Sequence, residues 1–196
     1  MEALKERRYT YSDYCAWPDD ERWEIIDGQP YNMTPAPGIR HQTVLGKIYG
    51  KLFMKMEEMN SPCSLFMAPA DVVFDEFNVV QPDAFIVCDP SKITEKNIQG
   101  APDVIFEVKS PSTAYKDRKV KKALYQKHGV KTYVLVDSLD GLMEVFMLEG
   151  DHYGQPTVLG QNDTLELEHP RISIPLVQIF GPPQSSQSWP SPPPIP

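Results

Sequence analysis

The chemistry in this chain centres on Asp83, Glu107 and Lys109. In the run Pro102-Asp103-Val104-Ile105-Phe106-Glu107-Val108-Lys109 the side chains of a strand alternate between faces, which puts Glu107 and Lys109 on one side of an otherwise apolar stretch. A charged pair at the end of a central strand is costly unless it is paired, hydrated or metal-bound. Upstream, Gln81-Pro82-Asp83 opens a second apolar run, Ala84-Phe85-Ile86-Val87, so pairing of the two strands lets Asp83 and Glu107 converge. Two carboxylates and a main-chain carbonyl, here that of Val108, form the kind of oxygen cluster that holds Mg²⁺ (or Mn²⁺) with positions left for water and a phosphate oxygen. Such an ion polarises a phosphoryl group, and Lys109 can orient the water and balance charge in the transition state. The chemistry indicated is hydrolysis of a phosphodiester. An isolated Glu-x-Lys is a common surface salt pair; with the Pro-Asp on the preceding strand and the strand-helix context, a salt pair and a metal site stand as alternatives of equal weight.

A positive cluster lies just downstream. Between Lys109 and Lys131 there are eight cations against the single acid Asp117, a net charge of plus 7 in a chain whose total is −8, so the remainder carries minus 15. The alternatives are a solvated helix face offsetting an acidic body and a surface for phosphates, formed by Lys116, Arg118, Lys119 and Lys122. Asp117, Lys121 and Tyr125 fall at i, i+4 and i+8, one stripe of a helix: either it faces a metal cleft or the DNA backbone, where Tyr125 would meet substrate, or it is an Asp-Lys pair beside a half-buried tyrosine. His41 opens another helix on its apolar face, as a helix-start or a catalytic residue. Glu24 follows Trp23 in a hairpin and either adds an acid to the cleft or sits on an exposed ribbon.

These residues need elements to hold them. Trp23 to Tyr31 brackets Asp27-Gly28, the cue for a tight hairpin. His41, Val44, Leu45, Ile48, Tyr49, Leu52, Phe53, Met56 and Met59 follow helical spacing and predict an amphipathic helix stopped near Ser61-Pro62. Strands are expected over 65–74, 79–87 and 104–109, the first two pairing as a hairpin. A second helix capped by Ser112 or Thr113 runs to about His128 and stops at Gly129. Strands follow over 132–137, 142–148 and 164–168. The order is that of an α+β sandwich around a mixed sheet.

The whole chain has 196 residues, 41% hydrophobic and 23% charged, which suits one globular domain over 1–180 and excludes a collagen-like or wholly disordered chain. Residues 181–196 hold seven prolines and Trp189 and read as an extended tail. No stretch supplies the roughly 18 apolar residues of a membrane span, and no leader is recognisable, so no membrane partner is expected and the location expected is cytoplasmic. Three cysteines far apart argue against a disulfide framework, and the four histidines lack metal-binding spacing.

The pieces Glu24-Ile25-Ile26-Asp27-Gly28, Pro35-Ala36-Pro37 with His41, Gln81-Pro82-Asp83, Ala101-Pro102-Asp103, Glu107-Val108 with Ser110-Pro111-Ser112-Thr113, then Asp117, Lys121, Tyr125 and Gly129-Val130, resemble the Uma family of putative restriction endonucleases, within the PD-(D/E)xK nuclease superfamily. The resemblance covers residues 9–180. It implies a restriction-endonuclease-like core, α-β-β-β-α-β, with a divalent-metal site assigned to Asp83, Glu107 and Lys109. It also implies that the lysine comes from Lys109 or from Lys121 on the next helix, and that Glu24 is a further acid. A metal-dependent endodeoxyribonuclease is therefore expected, with DNA and a second copy of the chain, as a homodimer, for partners. Alternatives are a catalytically silent nucleic-acid-binding or transposon-associated protein with the same fold, and a dimeric interaction protein using the Pro-rich tail.

Overall fold

The structure, a computed structural model, describes residues 7–18, 21–33, 37–110 and 116–182. The caps expected at Ser112 or Thr113, the Pro35-Ala36 pair and the tail with Trp189 lie outside the described residues. A single-turn helix, α1 (Tyr11–Tyr14), is closed by a capping box in which Thr10 and Asp13 bond each other's backbone. Strands β1 (Trp23–Ile26) and β2 (Gln29–Asn32) then pair through Asp27 and Gly28, both at positive φ as a two-residue primed turn requires.

Helix α2 (Ile39–Glu58) buries His41, Val44, Leu45, Ile48, Leu52 and Met56. The buried stripe is narrower than the periodicity implied, for Phe53 and Met59 are exposed. Beyond it the two long strand runs each break in two. Residues 65–74 become β3 (Ser64–Met67) and β4 (Val72–Asp75), and residues 79–87 become β5 (Asn78–Val80) and β6 (Ala84–Val87). The expected hairpin is present in both halves, since β4 pairs with β5 and β3 with β6, but the halves belong to different sheets. After them come β7 (Ile98–Gln99), β8 (Val104–Val108), a π turn over Lys116–Lys121 continuing into α3 (Lys122–Lys127), β9 (Thr132–Asp137) and β10 (Leu142–Glu149). β11 (His152–Tyr153), β12 (Thr157–Leu159), β13 (Thr164–Glu168), β14 (Arg171–Pro175) and α4 (Val177–Phe180) complete the described chain.

One sheet has the order β2-β1-β5-β4-β7; the larger has β11-β10-β9-β8-β6-β3 with β12 beside β10, and β13-β14 is a separate hairpin. Within the larger sheet β8 is antiparallel to β6 and parallel to β9, the crossover being the α3 segment. The connectivity α2-β3-β6-β8-α3-β9 is the α-β-β-β-α-β core of a restriction-endonuclease-like fold, in an α+β protein with a mixed sheet and an N-terminal hairpin. One face of this sheet packs against α2 and the β13-β14 hairpin through Phe106, Val108, Val134 and Val136. The other carries Ile105, Tyr133 and Leu135 under Leu124 and Tyr125 of α3. Among the described residues no helix is long and apolar enough to cross a membrane.

The cysteine reading needs correction. Cys63 and Cys88 form a disulfide, and Cys15 is free and exposed. Register explains it: Ser64 faces Val87 across β3 and β6, so the residues just outside that pair stand opposite each other although 25 positions apart in the chain.

Candidate active site

The site gathers at the end of the sheet where β8 finishes and β6 begins. Asp83 stands immediately before β6, and its Oδ2 accepts a hydrogen bond from the Val108 amide at 2.7 Å. This is the convergence that the sequence implied, because antiparallel pairing of Ala84 with Phe106 carries Asp83 to the end of β8 beside Glu107. His41, in the first turn of α2, lies with Nε2 3.2 Å from the same Asp83 oxygen. Its Nδ1 is buried without a hydrogen-bond partner. Burial opposes charge on this imidazole, but the bond to Asp83, the Asp83 charge and the Val108 backbone outweigh it and raise its pKa.

Glu107 is 3% exposed. Its Oε1 accepts from the Lys121 ammonium at 2.8 Å and from the Tyr125 hydroxyl at 2.6 Å. The same ammonium is 2.8 Å from Oε1 of Glu24, which is fully buried. Glu24 in turn accepts from the Gln81 amide at 3.1 Å, while the Gln81 side chain is clasped by Arg22. Glu24 is thus no ribbon-surface residue: β1 delivers it into the cleft, and Lys121 bridges it to β8. Burial, with the nearby Asp83, Asp117 and Glu24, pushes the Glu107 carboxyl up to about 8 even though Lys121 pulls it down. Burial acts against charge on Lys121, but Glu107, Glu24 and Asp117 hold its pKa well above the ordinary lysine value.

The helix that carries Lys121 opens as a π turn, a form common at functional sites. Asp117, Lys121 and Tyr125 are all buried on its sheet-facing side. The Tyr133 hydroxyl, from β9, bonds the Asp117 carbonyl at 3.1 Å and pins the turn over the sheet.

Two expectations are corrected. Lys109 does not reach toward Glu107 but pairs with Asp137 at 2.7 Å. The parallel register, Val108 against Val136, brings Asp137 next to it. Tyr125 cannot meet a substrate, since it is fully buried and spends its hydroxyl on Glu107. Of the basic residues, Lys116 opens the π turn, Arg118 makes a two-pronged ion pair with Glu144 at 2.7 and 2.8 Å, Lys119 is exposed, and Lys122 rests 4.0 Å over the Phe146 ring. Sequence reasoning missed Asp137 and Tyr133; extending a parallel β8-β9 register by one residue would have found the first.

Among the described residues no three His, Cys, Asp or Glu side chains surround one point. A cation here would therefore rest on the carboxylates of Asp83 and Glu107 and the Val108 carbonyl. This all-oxygen set fits a hard ion such as Mg²⁺ or Mn²⁺ and not a soft one.

A three-layer core with paired acids at the ends of adjacent strands defines a restriction-endonuclease-like protein. The family model Uma2, described as "Putative restriction endonuclease", matches residues 11–175, and the chain belongs to this family. It is similar in fold to a putative nuclease belonging to DUF820 from Anabaena variabilis ATCC 29413, known from a crystal structure, with a TM-score of 0.72 and 16% identity over 87% of this chain and 97% of that one. No curated protein matches the chain.

Proposed function

We propose that the chain is a divalent-metal-dependent endonuclease that hydrolyses DNA phosphodiester bonds. The observation that carries this reading is the meeting of Asp83 and Glu107 at the Val108 end of β8, with the Lys121 ammonium on the Glu107 carboxylate. Asp83, Glu107 and the Val108 carbonyl would hold the ion, which supplies neutralisation and polarisation of the phosphoryl group when bound. Lys121 takes the lysine role in preference to Lys109: its charge is kept by three acids in a buried setting, where it is available to balance negative charge building on the phosphate. His41 and the Val108 amide fix the orientation of Asp83. Tyr125 and Glu24 position Glu107 and Lys121 and do not touch substrate. In the reaction water adds hydroxide to phosphorus, the P–O ester bond breaks, and the leaving oxygen takes the remaining proton.

The basic side chains of Arg118, Lys119 and Lys122 support DNA as the substrate in a chain that is otherwise acidic. The homodimer and the cytoplasmic location belong to the same proposal, checked by light scattering and by cell fractionation. Purified protein incubated with supercoiled plasmid and Mg²⁺ or Mn²⁺ should nick or linearise it, and Glu107→Ala should not. Equal cutting by both proteins overturns the assignment. A second reading, nucleic-acid binding without turnover, is favoured by the closure of Glu107 beneath Lys121 and Tyr125. Salt-dependent binding with no metal-dependent cutting would select it.

A further inference from the structure

Beside the site, at the same end of the sheet, is a pocket of about 230 Å³. Its lining includes Leu135, the register partner of Glu107 across β8 and β9, so one of the strands that line it lies next to β8, about one strand spacing, roughly 4.8 Å, away. Leu135, Leu142, Pro156 and Val158 give apolar walls. The polar rim is Lys109 with Asp137 and Arg118 with Glu144, two ion pairs whose charges cancel. Next to it, sharing Arg118, Glu144 and Pro156, lies a more open groove of about 410 Å³ that adds Lys119 and Lys122, for a net charge of plus two.

The difference in charge separates the two. A phosphate gains from the open groove, where cations exceed acids, and gains nothing from a pocket that is neutral overall. A neutral pocket with apolar walls and both donors and acceptors at its rim suits a flat ring with a hydrogen-bonding edge. An ammonium bonded once to Asp137 keeps further donors, and a guanidinium bonded twice to Glu144 still has its other N–H groups. The volume lies below the about 300–1,000 Å³ of sites for larger ligands, enough for one ring system and too small for a whole nucleotide.

We propose that this pocket receives a nucleobase that has left the base stack next to the scissile phosphate, while the basic groove follows the backbone of the same strand. The substrate class is accordingly DNA that is single-stranded or locally unpaired at the cleavage point. The inference rests on the nuclease reading and deepens it. It also gives Lys109 and its partner Asp137 a role that the metal site does not use.

The test compares a duplex oligonucleotide with the same sequence carrying a small unpaired bubble, each with 2-aminopurine at the cleavage position. With Mn²⁺ the wild-type protein should cut the bubble about tenfold faster than the duplex, because no base pair has to open first. In metal-free buffer, binding should change the 2-aminopurine fluorescence of the bubble. Val158 is 58% exposed, so Val158→Trp fills the pocket without disturbing the core; it should bring the rate ratio to within about threefold of unity and abolish the fluorescence change. Val177→Trp, an exposed position outside the pocket, should retain both. Cutting with no preference for the bubble, or a preference that survives Val158→Trp, overturns the pocket and leaves the nuclease intact. Neither cutting nor binding of any DNA overturns the nuclease reading and the inference with it.

Discussion

Replacing Lys121 by methionine removes the charge at the centre of the site and keeps most of the volume. Lys121 is 3% exposed, and its ammonium lies 2.8 Å from each of two buried carboxylates, Glu24 and Glu107. Breaking a buried ion pair by removing one partner costs about 3–5 kcal/mol. The lower end applies here, because the Glu107 carboxyl, already raised to about 8, can keep its proton and so limits the uncompensated charge left behind. A loss of about 3 kcal/mol corresponds to a urea midpoint lower by about 1–2 M with an unchanged slope. The pH dependence gives an independent check. An acid whose pKa is raised on folding destabilises the protein as pH climbs from its unfolded value to its folded value, so the contribution of Glu107 to stability falls between about 4.5 and about 8. Without Lys121, which pulls that pKa down, the loss continues on the alkaline side, so the two stability curves should diverge above pH 8 and approach each other in acid. Urea titrations followed by tryptophan fluorescence across that range read both effects. A midpoint equal to wild type at neutral pH, or curves that close together above pH 8, would refute the assignment of Lys121 as the bridge between hairpin and sheet.

Other outcomes follow from the same geometry. Tyr125→Phe removes a buried hydrogen bond to a carboxyl group and should cost about 1.5–3 kcal/mol in a urea melt, with little change in the slope. Adding Mg²⁺ or Mn²⁺ should raise the thermal midpoint of the wild type, by the equivalent of about 2.7 kcal/mol at a hundredfold excess over the dissociation constant, and Asp83→Ala should lose that dependence on metal concentration. Reducing the Cys63–Cys88 bond, which closes a loop of 25 residues, should cost about 3.5 kcal/mol on the chain-entropy account; Cys63→Ser compared with wild type under oxidising and reducing conditions measures it.

Much of the scaffold was legible because local signals agreed with the final packing. The Asp27-Gly28 turn and the helical stripe of α2 each require one backbone geometry, and the 132–137 strand matches its expected bounds. The runs 65–74 and 79–87 misled for a physical reason. Both are apolar on each side, so no alternation marks where the chain leaves one sheet for the other, and only the polar breaks around Asp71 and Pro82-Asp83 hint at it. The proximity of Asp83 and Glu107 was legible because strand pairing and spacing suffice to bring them to the same strand end. The Lys109–Asp137 pair was not legible because alternation tells which face a side chain takes but not which neighbour captures it. The Cys63–Cys88 bond was missed on the same ground, since sequence separation says nothing of cross-strand register.

The site is assembled from segments that are far apart in the chain, and this constrains what each can do alone. Glu24 comes from the smaller sheet, Asp83 from the crossing between the two sheets, Glu107 from the centre of the larger one, His41 from one covering layer and Lys121 from the other. A buried carboxylate such as Glu24 is tolerable only with a hydrogen-bonded partner, and it has the Gln81 amide and the Lys121 ammonium. The Gln81-Pro82-Asp83 segment therefore serves both acids at once: its amide holds Glu24, and its last side chain holds the end of β8 through Val108. Moving that segment must disturb the hairpin acid and the strand acid together. A lysine carried on a helix can reach across from one acid to the other, as Lys121 does, whereas Lys109, one residue past β8, is taken by Asp137 at the end of β9. The sheet register thus pairs Lys109 with Asp137, and the ammonium beside Glu107 is that of Lys121 from the helix.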